Sequence, residues 1–354
     1  MEKKKKATLA DIANMAGVSR TAVSMILNEK EGVSFHEDTI KNVRDAADAL
    51  GYVKKETVSV KENTFYEDTI LVLTPTVTSP YYATLVQAIE QEAQKHGLRV
   101  LTQNTYRDEA LEKDFILQVR NTNLKGLIST MTPINVTLLE ELNKTIPVVV
   151  INDKSNDIDL DTVEINNYSA GVLMANHMIE LGHKHVAYIS TTLNSINSAR
   201  VRRLEGILDT YKKNCPQGKV LIKTKDIDPE EERSNIHLEH DVGFELTLEA
   251  LKNKQITGFI AVNDMVAYGV MEALKKQGLR IPEDYSICGF DNLFPSKFQS
   301  ISLTTVEHYI VSKGQNAVGI IVNRHQQRRS PYSSTRVLYT HELIIRHSTG
   351  APRE

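Results

Sequence analysis

Thr8-Leu9-Ala10-Asp11-Ile12-Ala13-Asn14-Met15-Ala16-Gly17-Val18-Ser19-Arg20-Thr21-Ala22-Val23-Ser24-Met25-Ile26-Leu27-Asn28 is the stretch whose reading decides the rest of this chain. Two short helical patterns meet in it at a tight turn. Thr8 is a good N-cap, and Leu9, Ile12, Ala13 and Ala16 recur at three- and four-residue spacing. Gly17 falls where the first helix must stop and the backbone needs a left-handed residue. Ser19 then caps a second helix whose inner face is Ala22, Val23, Ile26 and Leu27. This is the pattern of a helix-turn-helix, whose second helix enters the DNA major groove. Its outward face carries Arg20, Thr21, Ser24, Met25 and Asn28, side chains that donate to phosphates, reach base edges or cover a thymine methyl. Any surface helical hairpin also has polar residues outside and apolar ones inside. The coincidence of the turn glycine with both caps favours the DNA reading.

Composition limits what else the chain can be. It has 354 residues, with 42 Lys plus Arg against 45 Asp plus Glu, a net charge of −3. Binding to nucleic acid must therefore rest on a local basic region, and Lys3-Lys4-Lys5-Lys6 supplies one beside the helical pair. The only cysteines, Cys215 and Cys288, are far apart and outside any CxxC pattern, which fits a reducing cytoplasm. No apolar run reaches membrane-spanning length and no signal sequence follows the lysines, so the expected location is cytoplasmic.

Residues 36–50 form a third helical pattern, with Ile40, Val43, Ala46, Ala47 and Leu50 on its apolar face and Gly51 at its end. Residues 1–52 are thus a small all-α helix-turn-helix head, and the Lys-, Glu- and Thr-rich stretch 53–68 reads as a linker. From residue 69 the grammar changes. Ile70-Leu71-Val72-Leu73 is a buried strand, followed by the loop Thr74–Pro80 and a helix over Ala83–His96. Strands and helices then alternate, and the alternation restarts after Asn166. The expected architecture is two α/β subdomains with parallel sheets, with a ligand cleft between them at the carboxyl ends of the strands. We assign 69–165 and 299–330 to the N-subdomain and 166–298 and 331–347 to the C-subdomain of a core spanning 69–354.

The chain resembles the lactose-repressor (LacI/GalR) family of transcriptional regulators. The resemblance is carried by Thr8–Asn28, Leu50-Gly51-Tyr52, Ser79-Pro80-Tyr81-Tyr82, Glu180-Leu181-Gly182-His183, Arg203-Leu204-Glu205-Gly206, Asn263-Asp264-Met265-Val266-Ala267-Tyr268-Gly269, Gly289-Phe290-Asp291-Asn292 and Arg346-His347-Ser348-Thr349, in the family's order. It implies a homodimer gripping a palindromic double-stranded operator, above a periplasmic-binding-protein-like core that closes on a small effector. It places Thr8, Leu9, Ser19, Arg20, Thr21, Ser24, Met25 and Asn28 at the operator, with Arg20, Thr21 and Met25 at base-reading positions. Where many members have an arginine this chain has Met25, whose thioether suits an apolar thymine contact. It departs again after Tyr52: the family's Ala-Arg-x-Leu hinge is missing, and Val58 or Val60 is left as the candidate minor-groove wedge.

For the effector, the resemblance points to Ser79, Tyr81, Asn152, Arg203, Asn263 and Asp291. Arg, Asp and Asn supply the bidentate donors and acceptors that a polyhydroxylated ring needs, and Tyr81 offers an apolar face for its C–H side. A carbohydrate is favoured over a purine because purine-binding relatives have another arginine where this chain has Asn197. Each residue also has a plainer role open to it: Arg203 belongs to a cluster with Arg200 and Arg202 on one helix, and Asp291 can cap a strand-end turn.

Enzyme readings fare poorly. There is no GxSxG, GxxxxGK[ST] or HExxH, so no catalytic residue, metal or cofactor is expected. His237-Leu238-Glu239-His240 has metal-like spacing, yet the adjacent Glu230-Glu231-Glu232 run suggests an exposed acidic loop. The remaining alternatives are a cytoplasmic sugar-binding protein without regulatory DNA binding, and a regulator using a protein or purine corepressor.

Overall fold

The computed structural model describes residues 7–27, 35–52, 67–151, 158–326 and 333–353, and the chain divides into two compact units. Lys3–Lys6, Asn28, Val58, Val60 and Asn152, all singled out above, lie outside the described residues.

The first unit is three helices: α1 (Leu9–Ala16), α2 (Arg20–Leu27) and α3 (Glu37–Ala49). Thr8 and Asp11 start α1 with a reciprocal capping box. Asp11 N donates to Thr8 Oγ1 at 3.4 Å, and Thr8 N donates to Asp11 Oδ2 at 2.8 Å. Gly17 stops the helix at φ 69°, ψ 29°, a conformation that costs other residues roughly 1–2 kcal/mol. Ser19 Oγ accepts from Ala22 N at 3.1 Å and opens α2. Ile12, Val23 and Val43, one from each helix, are wholly buried where the three helices meet. Leu50 is exposed instead of facing this core, because it is the C-cap of α3 and lies past its last helical residue.

The second unit holds two six-stranded sheets. Its strands are β1 (Thr69–Thr74), β2 (Arg99–Asn104), β3 (Gly126–Ser129), β4 (Val148–Ile151), β5 (Asp161–Ile165), β6 (His185–Thr191), β7 (Lys219–Lys225), β8 (Gly258–Ala261), β9 (Ser286–Asp291), β10 (Thr304–Glu307), β11 (Arg336–Tyr339) and β12 (Leu343–Ile344). The intervening helices are α4 (Pro80–Lys95), α5 (Glu109–Val119), α6 (Val136–Leu142), α7 (Asn167–Glu180), α8 (Ser198–Asn214), α9 (Pro229–Ser234), α10 (Leu238–Ala250), α11 (Asp264–Lys276) and α12 (Ile310–Gln326).

The first sheet runs β11-β5-β4-β3-β1-β2 and is parallel throughout. The second runs β12-β10-β9-β8-β6-β7 and is parallel except for β12. Central strands such as β1, β3, β4 and β8 are buried along their whole length, as strands covered by helices on both faces must be. The edge strands β2, β7 and β11 carry exposed positions.

Three expectations need correction. Helix α4 begins at Pro80, not Ala83: proline is pre-shaped for a first helical turn, so Tyr81 and Tyr82 sit on the helix. The acidic run folds as α9, with Asp228 capping it by accepting from Glu231 N at 2.7 Å. The lobe boundaries also change. Strand β10 pairs with β9, so residues 299–307 go with the C-terminal lobe, while β11 pairs with β5 and belongs to the N-terminal lobe. Helix α12 packs on α4, β4 and β5, as assigned. The chain therefore crosses between lobes three times, after β5, after β10 and between β11 and β12. Four-residue strands such as β10 and β11 pair by position in space, and alternation of elements does not encode that. The tail completes the C-terminal lobe: Ser348 Oγ accepts from Thr304 N at 2.8 Å and donates to Ile287 O at 2.6 Å.

Candidate functional site

In the helical unit, Arg20 and Thr21 on α2 are exposed, as are Thr8 and Ser19; Leu9, Ser24 and Met25 are half-buried. The start of α2 thus presents a guanidinium and a hydroxyl to solvent while Val23 and Ile26 hold the helix from behind.

The other unit contains a cleft of about 750 Å³ at the carboxyl ends of the two sheets. Of the residues expected at an effector, Ser79, Tyr81, Arg203, Asn263 and Asp291 all line it. Arg203 is delivered by a close crossing of α7 and α8. A Cβ on Gly171 would fall well inside contact distance of the Arg203 carbonyl, and one on Gly206 would do the same to the Tyr168 carbonyl. Arg203 is buried, and three groups fix its guanidinium. Nε donates to Asn167 Oδ1 at 2.8 Å, Nη1 donates to the Val262 carbonyl at 2.5 Å, and the Phe290 ring centroid lies 4.8 Å away. Nη2 stands 4.0 Å from Asp291 Oδ1. Buried charge on this scale is tolerated only when so fully engaged.

Asp291 closes β9 at φ 117°, a strained value for a residue with a side chain. Burial pushes its carboxyl well above the usual range, against the pull of the Arg203 guanidinium. Burial, with Arg203 and Lys313 nearby, holds His308 well below the usual imidazole value, so the ring is neutral. His308 Nε2 accepts from Arg203 Nη2 at 3.4 Å, which leaves the proton on Nδ1. That Nδ1 is 3.3 Å from Asp291 Oδ1 yet has no hydrogen-bond partner among the described residues. Tyr81 Oη accepts from Lys313 Nζ at 2.5 Å, and Asn263 caps α11 by accepting from Val266 N at 2.9 Å.

Sequence reading missed a second set of charges at the cleft: Arg107, Arg200, Glu239 and Lys313. Arg107 follows β2 and pairs with Glu232 of α9, joining the two lobes. Its neighbour Tyr106 lies under Arg233, 5.2 Å from guanidinium carbon to ring centroid. Thr132 and Ser198, again from opposite lobes, have their hydroxyls 2.9 Å apart. Arg200 pairs with Glu239 at 3.3 Å, and burial together with Arg107 lowers its affinity for its proton. Burial pushes the Tyr82 phenol up to about 12. The helical period carried a usable signal here: Arg200 and Arg203 share an inward face three residues apart, while Arg202 points out toward the Tyr168 ring. Glu239 is the glutamate of the HLEH stretch, whose His237 precedes α10 and whose His240 pairs with Glu272 at 2.9 Å. No group of metal-ligating side chains occurs among the described residues. The cleft has the chemistry of a binding site for a small polar molecule.

Comparison with known proteins agrees over both units. Residues 8–55 match the family model "Bacterial regulatory proteins, lacI family". Residues 67–346 match "Periplasmic binding proteins and sugar binding domain of LacI family". An HTH-type transcriptional repressor PurR from Actinobacillus pleuropneumoniae serotype 3 is 30% identical over 346 residues, covering 97% of this chain and 98% of that protein. Among solved structures, a LacI family transcriptional regulator from Enterococcus faecium with bound ribose aligns at TM-score 0.67 and 25% identity, over 80% of this chain and 99% of that one. The lac repressor dimer bound to operator and the anti-inducer ONPF aligns at TM-score 0.67 and 24% identity, over 98% and 100% respectively. This chain belongs to the LacI family of bacterial regulatory proteins.

Proposed function

We propose that this chain is a cytoplasmic transcriptional repressor that binds a palindromic operator as a homodimer, and that a small carbohydrate in the core cleft sets its grip on DNA. It is a regulator, not an enzyme. Thr8, Leu9, Ser19, Arg20, Thr21, Ser24, Met25 and Asn28 form the operator surface. Ser79, Tyr81, Asn152, Arg203, Asn263 and Asp291 form the effector site, joined by Asn167, His308 and Lys313. The observation that carries this reading is Arg203: a buried guanidinium, held rigidly at the cleft floor, in a chain whose other unit exposes the polar start of a recognition helix. A fixed fork of donors suits adjacent ring hydroxyls. The ribose held by the Enterococcus faecium relative supports a sugar over other polar ligands. No helix among the described residues is long and apolar enough to cross a membrane, which is consistent with the proposed location.

The test is titration of fluorescent DNA from the chain's own upstream region, with and without sugars, and with nucleobases as control ligands. In Arg203→Ala, effector affinity falls roughly 30-fold or more, the cost of truncating a buried charged partner. Operator affinity measured without effector stays within about twofold. Unchanged effector affinity in this variant removes Arg203 from the site, and absence of DNA binding by the parent overturns the regulator reading.

A further inference from the structure

Glu230-Glu231-Glu232 reads in the sequence as an exposed acidic loop, yet in α9 each of the three carboxylates has a different cation. Glu230 Oε2 lies 3.2 Å from Arg233 Nη1 of the same helix, and Glu231 Oε1 lies 3.1 Å from Lys225 Nζ of β7. Glu232 alone of the three reaches the other lobe, where its Oε1 accepts from Arg107 Nη1. The pairs also differ in shelter. The side chains of Arg233 and Glu230 are 43% and 74% exposed, those of Arg107 and Glu232 only 15% and 14%. Water and salt screen an exposed pair almost completely, and a shielded one far less.

Both halves of this contact are braced on their own lobe. Arg107 Nη2 donates to Tyr82 Oη of α4 at 3.4 Å. The backbone around Arg107 is tied down as well: Tyr106 N donates to Pro75 O and Asp108 N to Thr105 O, each at 2.9 Å. On the opposite side, Lys225 also lies 3.5 Å from Glu245 Oε2 of α10, and Asn235 Nδ2 donates to Asp241 Oδ2 at 3.0 Å. Those bonds fix α9 to the C-terminal lobe.

The N-terminal lobe supplies its side of the contact from two consecutive left-handed residues, Tyr106 at φ 52° and Arg107 at φ 54°. Neither has the short polar side chain that eases this conformation in asparagine or aspartate. Such strain persists only where the surroundings hold it, and it gathers at clamps and switches. Here both strained residues meet the same helix: Arg107 pairs with Glu232, and the Tyr106 ring lies under Arg233. Arg107 also lines the cleft, so the contact stands at its edge. Every charge in it belongs to the protein, and it needs no bound molecule to form.

We propose that α9 and the turn at residues 105–108 form an ionic clasp that holds the two lobes together independently of any effector, and so sets how far the core is closed before one binds. The clasp itself needs only the two lobes; its consequence for DNA rests on the regulator reading above. A core already partly closed leaves the effector a smaller population to move.

The chain has no tryptophan, so Tyr106→Trp places a single reporter indole beneath Arg233. The test is acrylamide quenching of that indole in the full chain without sugar. It is run at about 0.1 M and about 1 M NaCl, between which the screening length falls from roughly 10 to roughly 3 Å. Adding Glu232→Gln raises the quenching constant roughly twofold or more, as does Arg107→Glu, the signature of a pair coupled across the cleft. Combining Arg107→Glu with Glu232→Arg rebuilds the pair in reverse and returns the constant to its starting value. High salt raises quenching in the reporter chain and leaves it unchanged once Glu232→Gln is present. A second contact between the lobes gives an independent readout. Thr132 and Ser198 have their hydroxyls 2.9 Å apart, and in Thr132→Cys with Ser198→Cys the rate of disulfide formation under mild oxidation falls when Glu232→Gln is added. Quenching and cross-linking indifferent to Glu232→Gln, or a charge reversal that fails to restore them, overturns the clasp. Operator affinity of the sugar-free Glu232→Gln chain moves away from the parent's; a clasp that opens with operator affinity unchanged stands, and overturns instead the link between the core and DNA.

Discussion

Burial drives His308 and Asp291 toward their neutral forms from opposite directions, and the same physics sets how the core responds to acid. His308 is held well below the ordinary imidazole value, His341 is lowered to about 4, and His177 and His183 are lowered as well, each chiefly by burial. An unfolded chain takes up these protons near pH 6.5, whereas the folded one resists. Stability present above that pH is therefore lost as the pH falls toward 4. Three carboxyls act in the other direction. Burial raises Asp264 to about 6, Asp291 well above its usual range and Glu112 above its own, so the fold holds protons that the unfolded chain has released. The contribution of His341 alone is the one a single variant isolates: it is present at pH 7 and partly lost by pH 5. The melting temperature of His341→Asn therefore rises relative to the parent's as the pH falls from 7 to 5; a difference between the two proteins that stays constant over that range contradicts the assignment. At this scale the chemistry of the cleft was legible, since Arg203, Asn263, Asp291, Ser79 and Tyr81 do line it. The partners were not. Asn167, His308 and Lys313 reach the cleft from α7 and the segment after β10, and only the crossover connections bring those segments together.

Helices and central strands announce themselves because burial imposes a period or a continuous apolar run. The strands β5 and β10 do not. The sequence AspThrValGluIle of β5 shows neither pattern, because its Asp161 and Glu164 are buried against Arg324 and Arg336 instead of facing water. The exchange of β10 and β11 between lobes has the same origin, since four-residue strands carry too little pattern to name a neighbour. The α7–α8 crossing is legible in retrospect, because glycines at 171 and 206 in otherwise good helices imply a close neighbour. That crossing sets the position of Arg203. Gly171→Ala forces the helices apart and costs about 1–3 kcal/mol in urea unfolding. Effector affinity falls with it, since Arg203 is displaced from Asn167 and Val262. A variant with unchanged effector affinity would show that the crossing does not position the guanidinium.

For the molecule as a whole, the proposed switch is an exchange of free energy between two units of one chain. The cleft is closed by contacts between lobes, Arg107 to Glu232, Arg233 over Tyr106 and Thr132 to Ser198. An effector that fits between the lobes shifts the population toward the closed form by its differential affinity for it, and by no more than that. If the heads read that population, operator and effector must influence each other equally. The direct measurement is the full reciprocal cycle: operator affinity with and without saturating sugar, and sugar affinity with and without saturating operator. The account predicts that both change by the same factor, roughly 5- to 150-fold for couplings of this kind. A sugar that binds the cleft tightly while operator affinity stays the same would contradict it.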